Sequence, residues 1–215
     1  RFRVCQKKAE TRPVGSVPPI ILDWRKIKGH EEKSIISNVT INGTSLDIYG
    51  PEAYHLDVIF RPSVIADQEH LIFRNGVRLG ENVIKLDFTS PILPSGSAIT
   101  RYVDKEDGSE YIYSLFVPSD ASTAFPVFDQ PDLKARFELS ISAAPPEWQV
   151  VSNSSSPSEK VYVSSSENPS DVIGSWVFPE TKPISTYVFA FAAGPWERVS
   201  SPHVSKGSTL STGRV

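Results

Sequence analysis

The chain has 215 residues, of which 39% are apolar and 22% charged, and its formal net charge is −3. That length is enough for one large β domain or two small ones, with a sizeable core. The slight acidic balance argues against a general binder of nucleic acid or anionic membrane, and no apolar run approaches the ~20 residues of a membrane-spanning helix.

Strand signals dominate the chain from the start. FRVC opens it, and a Pro/Gly-rich gap leads to PPIILDWRKI. SIISNVTI then meets Asn42-Gly43, the strongest short hairpin signal present. YHLDVIF, EHLIF and NVIKLDF follow at short spacing, the last two punctuated by Gly76 and Gly80. ITRYV and EYIYSLFV flank a second turn pair, Asp107-Gly108. LKARFELSIS, WQVVSN, KVYVSSS, VIGSWVF and ISTYVFAFAAGPW complete the series. In LKARFELSI the alternation places Leu133, Ala135, Phe137, Leu139 and Ile141 on one face, with Lys134, Arg136, Glu138 and Ser140 on the other. TYVFAFAA is apolar on both faces, which predicts a strand inside a sheet. No window carries a helical stripe. The predicted class is all-β, a large β-sandwich of roughly a dozen short, mostly antiparallel strands. SNSSSPSEK reads as an exposed hairpin loop, and residues 200–215 read as a Ser-rich linker.

Few residues point to chemistry within the chain. The histidines are His30, His55, His70 and His203, and none has a second His four residues on, as a helical zinc pair requires. The lone Cys5 allows no internal disulfide and reads as a small strand residue. No nucleophile elbow and no Gly-rich phosphate loop occurs. The acids at Asp104, Glu106, Asp107, Asp129 and Asp132 fall in turns, where a carboxylate accepts nearby backbone N–H groups. The sequons at Asn38, Asn42 and Asn153 are too small an excess over chance to establish secretion. RFRVCQKKAE has too short an apolar stretch for a signal peptide. The chain lacks Met, which predicts a processed or excised piece of a longer protein.

One stretch is unusually specific: YIYSLFVPSDASTAFPVFDQPDLKARFELSI. It resembles the N-terminal β domain of the M1 (gluzincin) zinc aminopeptidases. The shared positions are Pro118, Asp120, Ala121, Phe125, Pro126, Phe128, Asp129, Gln130, Pro131, Leu133, Lys134, Ala135 and Phe137, and Val127 replaces the family's usual Cys. IILDW, INGT, LGENVIKLDF, WQVVSN and ISTYVFAFAAGPWE fit other family segments in order, so the resemblance covers nearly the whole chain. It implies a domain at 1–199 and a linker at 200–215 toward a missing catalytic domain. The G-A-M-E-N and H-E-x-x-H motifs of that catalytic domain are not in this chain, so zinc is expected there and no cofactor or catalytic residue here. The partners implied are the protein's own catalytic domain and, through the full-length enzyme, peptide substrates. Neither nucleic acid nor a membrane span is implied. A cytoplasmic setting is favoured slightly over a secreted or membrane-anchored ectoenzyme.

Within the motif, Pro131 fixes its own φ and biases Gln130 toward extended backbone, and Phe125, Pro126 and Phe128 read as the structural anchors of a rigid turn. In the family this domain lends one side of the S1 pocket, often through a Gln fourteen residues before the motif's Asp. Counting back without gaps from Asp129 gives Leu115, and a second polar family position falls on Val117. Both are apolar here, so no hydrogen-bonding role is carried over. As substrate-binding candidates they imply a more apolar pocket, a diverged member or a shifted count. The other reading makes them core residues on the Tyr111/Tyr113 face. Three functions stay open: part of an active aminopeptidase (the chain alone inactive), a non-catalytic scaffold relative, or a free-standing β-sandwich that binds through its aromatic residues.

Overall fold

The computed structural model describes residues 2–4, 17–51, 63–154, 157–164 and 172–197. In chain order its strands are β1 (Phe2–Val4), β2 (Ile20–Asp23), β3 (Ile35–Ile41), β4 (Thr44–Ser45), β5 (Asp47–Tyr49), β6 (Ser63–Asp67), β7 (His70–Phe73), β8 (Gly80–Asn82) and β9 (Ile84–Thr89). The second half adds β10 (Ile99–Val103), β11 (Glu110–Ser114), β12 (Lys134–Ala135), β13 (Leu139–Ala144), β14 (Gln149–Ser152), β15 (Glu159–Ser164), β16 (Val172–Phe178), β17 (Ile184–Ser185) and β18 (Phe191–Gly194). Among the described residues the only helical pieces are short 3-10 turns, so the all-β class holds. The sequence segment YHLDVIF, Cys5, His55, His203 and the Ser-rich tail lie outside the described residues.

The first half forms two facing sheets and, apart from them, the short antiparallel pair β1-β8. One has the order β2-β7-β6-β5, with a single parallel pair at β5–β6; the other has the order β4-β3-β9. Their apolar faces meet in a core of Ile20, Leu22, Trp24, Val39, Ile41, Leu46, Val64, Leu71 and Phe73. The Asn42-Gly43 turn closes β3 onto β4 with both residues at positive φ, 50° and 86°, as a tight hairpin turn demands. The Asn42 side chain also serves the core. Its amide donates to Gly76 O and Asn82 Oδ1, and its oxygen accepts the Val83 N–H. Asn82 is fully buried, and its amide donates in turn to Arg78 O and Gly80 O. A buried amide is stable only when its donors and acceptors are matched in this way.

The second half is built on the sheet β10-β11-β18-β14, with β13-β16-β15 and the short pair β12-β17 beside it. Two clusters fill it. Ala98, Phe116, Ala121, Ala124 and Phe189 form one, and Ala144, Val150, Trp176, Phe178 and Ala193 the other. Strand β18 is interior, as its apolar run implies, but the residues before it, Thr186–Val188, turn in a 3-10 step that leaves Tyr187 and Val188 exposed.

LKARFELSIS departs from the single alternating strand its pattern predicts. It breaks at residues 136–138 into β12, which pairs β17, and β13, which pairs β16. Phe137 is held at the break by Thr181: its N–H donates to the Thr181 hydroxyl, and its carbonyl accepts the Thr181 N–H. Leu133, at the predicted buried face, lies in the turn before β12, where its N–H donates to Gln130 O, and is exposed. The strand number exceeds the dozen expected for the same reason, since several long apolar runs change sheets midway.

Candidate functional site

The segment between β11 and β12 joins the two halves. Phe128 packs against the first core, while Phe125 and Val127 pack against the second. Phe125 meets Phe116 edge-on at 5.4 Å and Phe189 at 6.3 Å. Pro126 and Pro131 flank the segment that spans the two cores, and their fixed φ lowers the entropy lost on ordering it.

Hydrogen bonds from β2 then lock the turn. Asp23 exchanges two backbone bonds with Val127, at 2.7 and 3.0 Å. Its side chain accepts the Asp129 N–H at 2.8 Å, and its other oxygen lies 3.3 Å from His70 Nδ1. Asp129 repeats the device one step further, as its carboxylate accepts the buried Ser122 N–H at 3.0 Å. Arg25 completes the set: its backbone N–H donates to Ser122 O, and its guanidinium donates to Ser119 O and the Asp120 carboxylate. Gln130 is exposed and its carbonyl accepts the Leu133 N–H, while Pro131 O accepts the Ser185 hydroxyl. Sequence reading assigns Asp129 a turn-capping role but gives Arg25 and Asp23 none. Their partners lie about a hundred residues away, where no local pattern reaches.

What this turn fixes is the chain just before it. Leu115 and Val117 follow β11, with Leu115 N–H bonded to Ala98 O. Leu115 is 60% and Val117 52% exposed, while Phe116 between them is 1% exposed. They are therefore not core residues. They extend the wet face of the sheet, on which Tyr111 and Tyr113 stand opposite Tyr102 and Thr100 of β10, and Val151 of β14 stands opposite Ala192 of β18. Tyr111 packs on Trp196 at 4.5 Å, which Gly194 permits: a Cβ there would lie 2.6 Å from the Tyr111 ring. The exposed side chains of this face are mostly apolar and aromatic, Tyr102, Tyr113, Leu115, Val117 and Val151 among them.

The ion pair of these strands lies on the opposite face: Arg101 of β10, whose register partner is Ile112, pairs with Glu110 of β11, and the hydrogen bond to that carboxylate raises the guanidinium pKa. The Asp104–Ser109 turn beyond them holds the Asp107 carboxyl below its usual range, chiefly through the Ser109 backbone N–H it accepts. Among the described residues no three His, Cys, Asp or Glu side chains are grouped to hold a metal ion. Two concavities, of about 540 and 1350 Å³, lie elsewhere: one between the first two sheets beside Trp24 and Ser34, the other between Ile20, Phe128 and Phe137. Neither is lined by Leu115 or Val117, which stand on an open face.

A family model described as the Peptidase M1 N-terminal domain matches residues 26–188. The chain belongs to this family. The aminopeptidase N of Streptomyces lividans is 32% identical over 178 residues, which cover 83% of this chain and 18% of that protein. A probable M1 family aminopeptidase 1 of Encephalitozoon cuniculi is 26% identical over 179 residues, covering 83% and 18%. Glutamyl aminopeptidase of Sus scrofa is 27% identical over 190 residues, covering 76% and 19%. The solved structure of Legionella pneumophila aminopeptidase A in complex with aspartic acid matches with a TM-score of 0.59 at 16% identity, over 82% of this chain and 17% of that one, a likeness of fold alone. This M1 N-terminal domain thus spans about a fifth of the length of the curated relatives it matches. No helix among its described residues is long and apolar enough to cross a membrane.

Proposed function

We propose that this M1 N-terminal domain, residues 1–199, is one jaw of a zinc aminopeptidase that removes N-terminal residues from peptides, with residues 200–215 leading to its catalytic domain. In this reading the zinc, the general base and the groups that bind the substrate's amine all belong to that catalytic domain. A zinc ion bound in that domain would supply Lewis-acid polarisation of the scissile carbonyl and an activated water. The domain described here contributes position and shape: the exposed face of the β10-β11-β18-β14 sheet packs toward the catalytic domain, and Leu115 and Val117 wall the pocket for the substrate's N-terminal side chain. One observation carries the reading, the pair of half-exposed apolar side chains that flank a buried anchor, Phe116, immediately before a clamped turn. Rigid placement of such a wall matters because orientation is a large part of catalysis. An apolar wall favours substrates with apolar N-terminal residues, since it offers hydrocarbon contact and no hydrogen bond.

The test uses the full-length protein on short peptides. Release of N-terminal residues that stops on chelation and returns with zinc supports the reading, and a full-length protein without peptidase activity refutes it in favour of a scaffold relative. L115A and V117A should lower kcat/KM for leucyl more than for alanyl substrates. Equal effects on both would remove these two residues from the pocket.

A further inference from the structure

Resting on the reading of Leu115 and Val117 as a substrate wall, we infer that Arg25 is a positioning residue for that wall. The wall has one deep anchor, Phe116, whose ring lies among Phe125 and Phe189. Its upstream side is held by the β11 ladder and by the Leu115 N–H bond to Ala98 O. Its downstream side is held differently. After Val117 the chain turns through residues 118–120, and the turn is closed by the Asp120 N–H, which donates to Phe116 O at 3.1 Å. The element that grips this turn from outside is Arg25, which follows β2 in the other half of the molecule. Its guanidinium reaches Ser119 O at 3.3 Å and Asp120 Oδ1 at 2.5 Å, and its backbone N–H reaches Ser122 O at 2.9 Å.

Three contacts from one residue to Ser119, Asp120 and Ser122 fix the turn in translation and in rotation. Both side-chain contacts come from one nitrogen, Nη2, at the far end of the guanidinium, and a lysine, one bond shorter and a strongly hydrated point charge, holds them less well. The Arg25 and Asp120 side chains are 35% and 43% exposed, and an ion pair so open to water adds little to global stability. What it does set is where Val117 stands. Without the Arg25 side chain, Phe116 stays anchored, the backbone bond to Ser122 O remains and the fold persists, but Ser119 and Asp120, next to Val117, lose their outside tether.

The experiment compares Arg25→Ala, Arg25→Lys and Leu115→Ala in the full-length enzyme, each with leucyl and alanyl anilide substrates. Arg25→Ala should raise KM for the leucyl substrate about threefold to tenfold with kcat nearly unchanged, because a displaced wall loses contact made equally in ground and transition states. The alanyl substrate, whose methyl is too short to reach the wall, should be unaffected. Arg25→Lys should fall between Arg25→Ala and the parent enzyme. A readout free of turnover accompanies the kinetics: hydrogen exchange at the Asp120 amide should quicken in Arg25→Ala. Unchanged exchange overturns the inference, as does faster exchange with an unchanged leucyl KM. A response to Leu115→Ala but not to Arg25→Ala refutes the positioning role alone. If the leucyl-to-alanyl ratio ignores Leu115→Ala as well, the wall reading itself falls and the role of Arg25 with it.

Discussion

The two four-stranded sheets of this protein bury their side chains differently. In β2-β7-β6-β5 the central strand β6 is covered on both sides, with Ser63, Val64 and Ile65 all buried. In β10-β11-β18-β14 the inner face supplies Phe116, Val150 and Ala193 to the cores, while Tyr102, Tyr113, Leu115 and Val151 on the outer face meet solvent. The first sheet buries both faces of an inner strand, and the second leaves a row of large apolar side chains of its inner strand and its neighbours in water. The boundary between these two uses runs between neighbouring residues, Leu115 and Phe116.

The sharpest way to break this contrast is to truncate each neighbour. Phe116→Ala removes a fully buried ring from a four-phenylalanine cluster and should cost about 3–5 kcal/mol in denaturant unfolding of the domain. A smaller loss would mean that the cluster repacks and that the anchor of the wall is soft. Next in size is Asp129→Ala. It leaves the buried Ser122 N–H without its acceptor and should cost about 1–3 kcal/mol in the same measurement. Retained stability there would show that the turn is held by its prolines and not by its carboxylates.

Leu115→Ala should change the stability of the domain by less than about 0.5 kcal/mol, because the side chain it shortens is already wet. A cost near that of Phe116→Ala would erase the distinction between the two faces.

The smallest effect lies in the β10–β11 turn. The Ser109 N–H holds the Asp107 carboxyl below its usual range, so the ionised form is the one the fold favours. The stabilisation is complete above the unfolded value, about 3.9 for aspartate, and is lost as pH falls through the lower folded value. The Ser109 amide proton shift should therefore titrate on the acid side of about pH 3.9, and Asp107→Asn should abolish that titration. A Ser109 shift that is flat with pH in the unmodified chain would sink the assignment.

Residue pattern alone carried the all-β class, the Asn42-Gly43 hairpin and the family, because alternation, turn chemistry and a dense run such as FPVFDQPDLKARF are local in the chain. The family resemblance, by position alone, marked Leu115 and Val117 as candidates, and the sequence could not say whether they face water or core, since an apolar residue in a strand is written the same way in both. It placed Leu133 with the buried face of one long strand, whereas Leu133 lies in the turn before β12 and the strand itself breaks at Phe137, held by Thr181. It gave no role to Arg25 or Asp23. Those assignments needed the packed chain, because a hydrogen bond between residues about a hundred positions apart leaves no trace in the spacing of either segment, and only the docking of the two cores brings donor and acceptor within 3 Å.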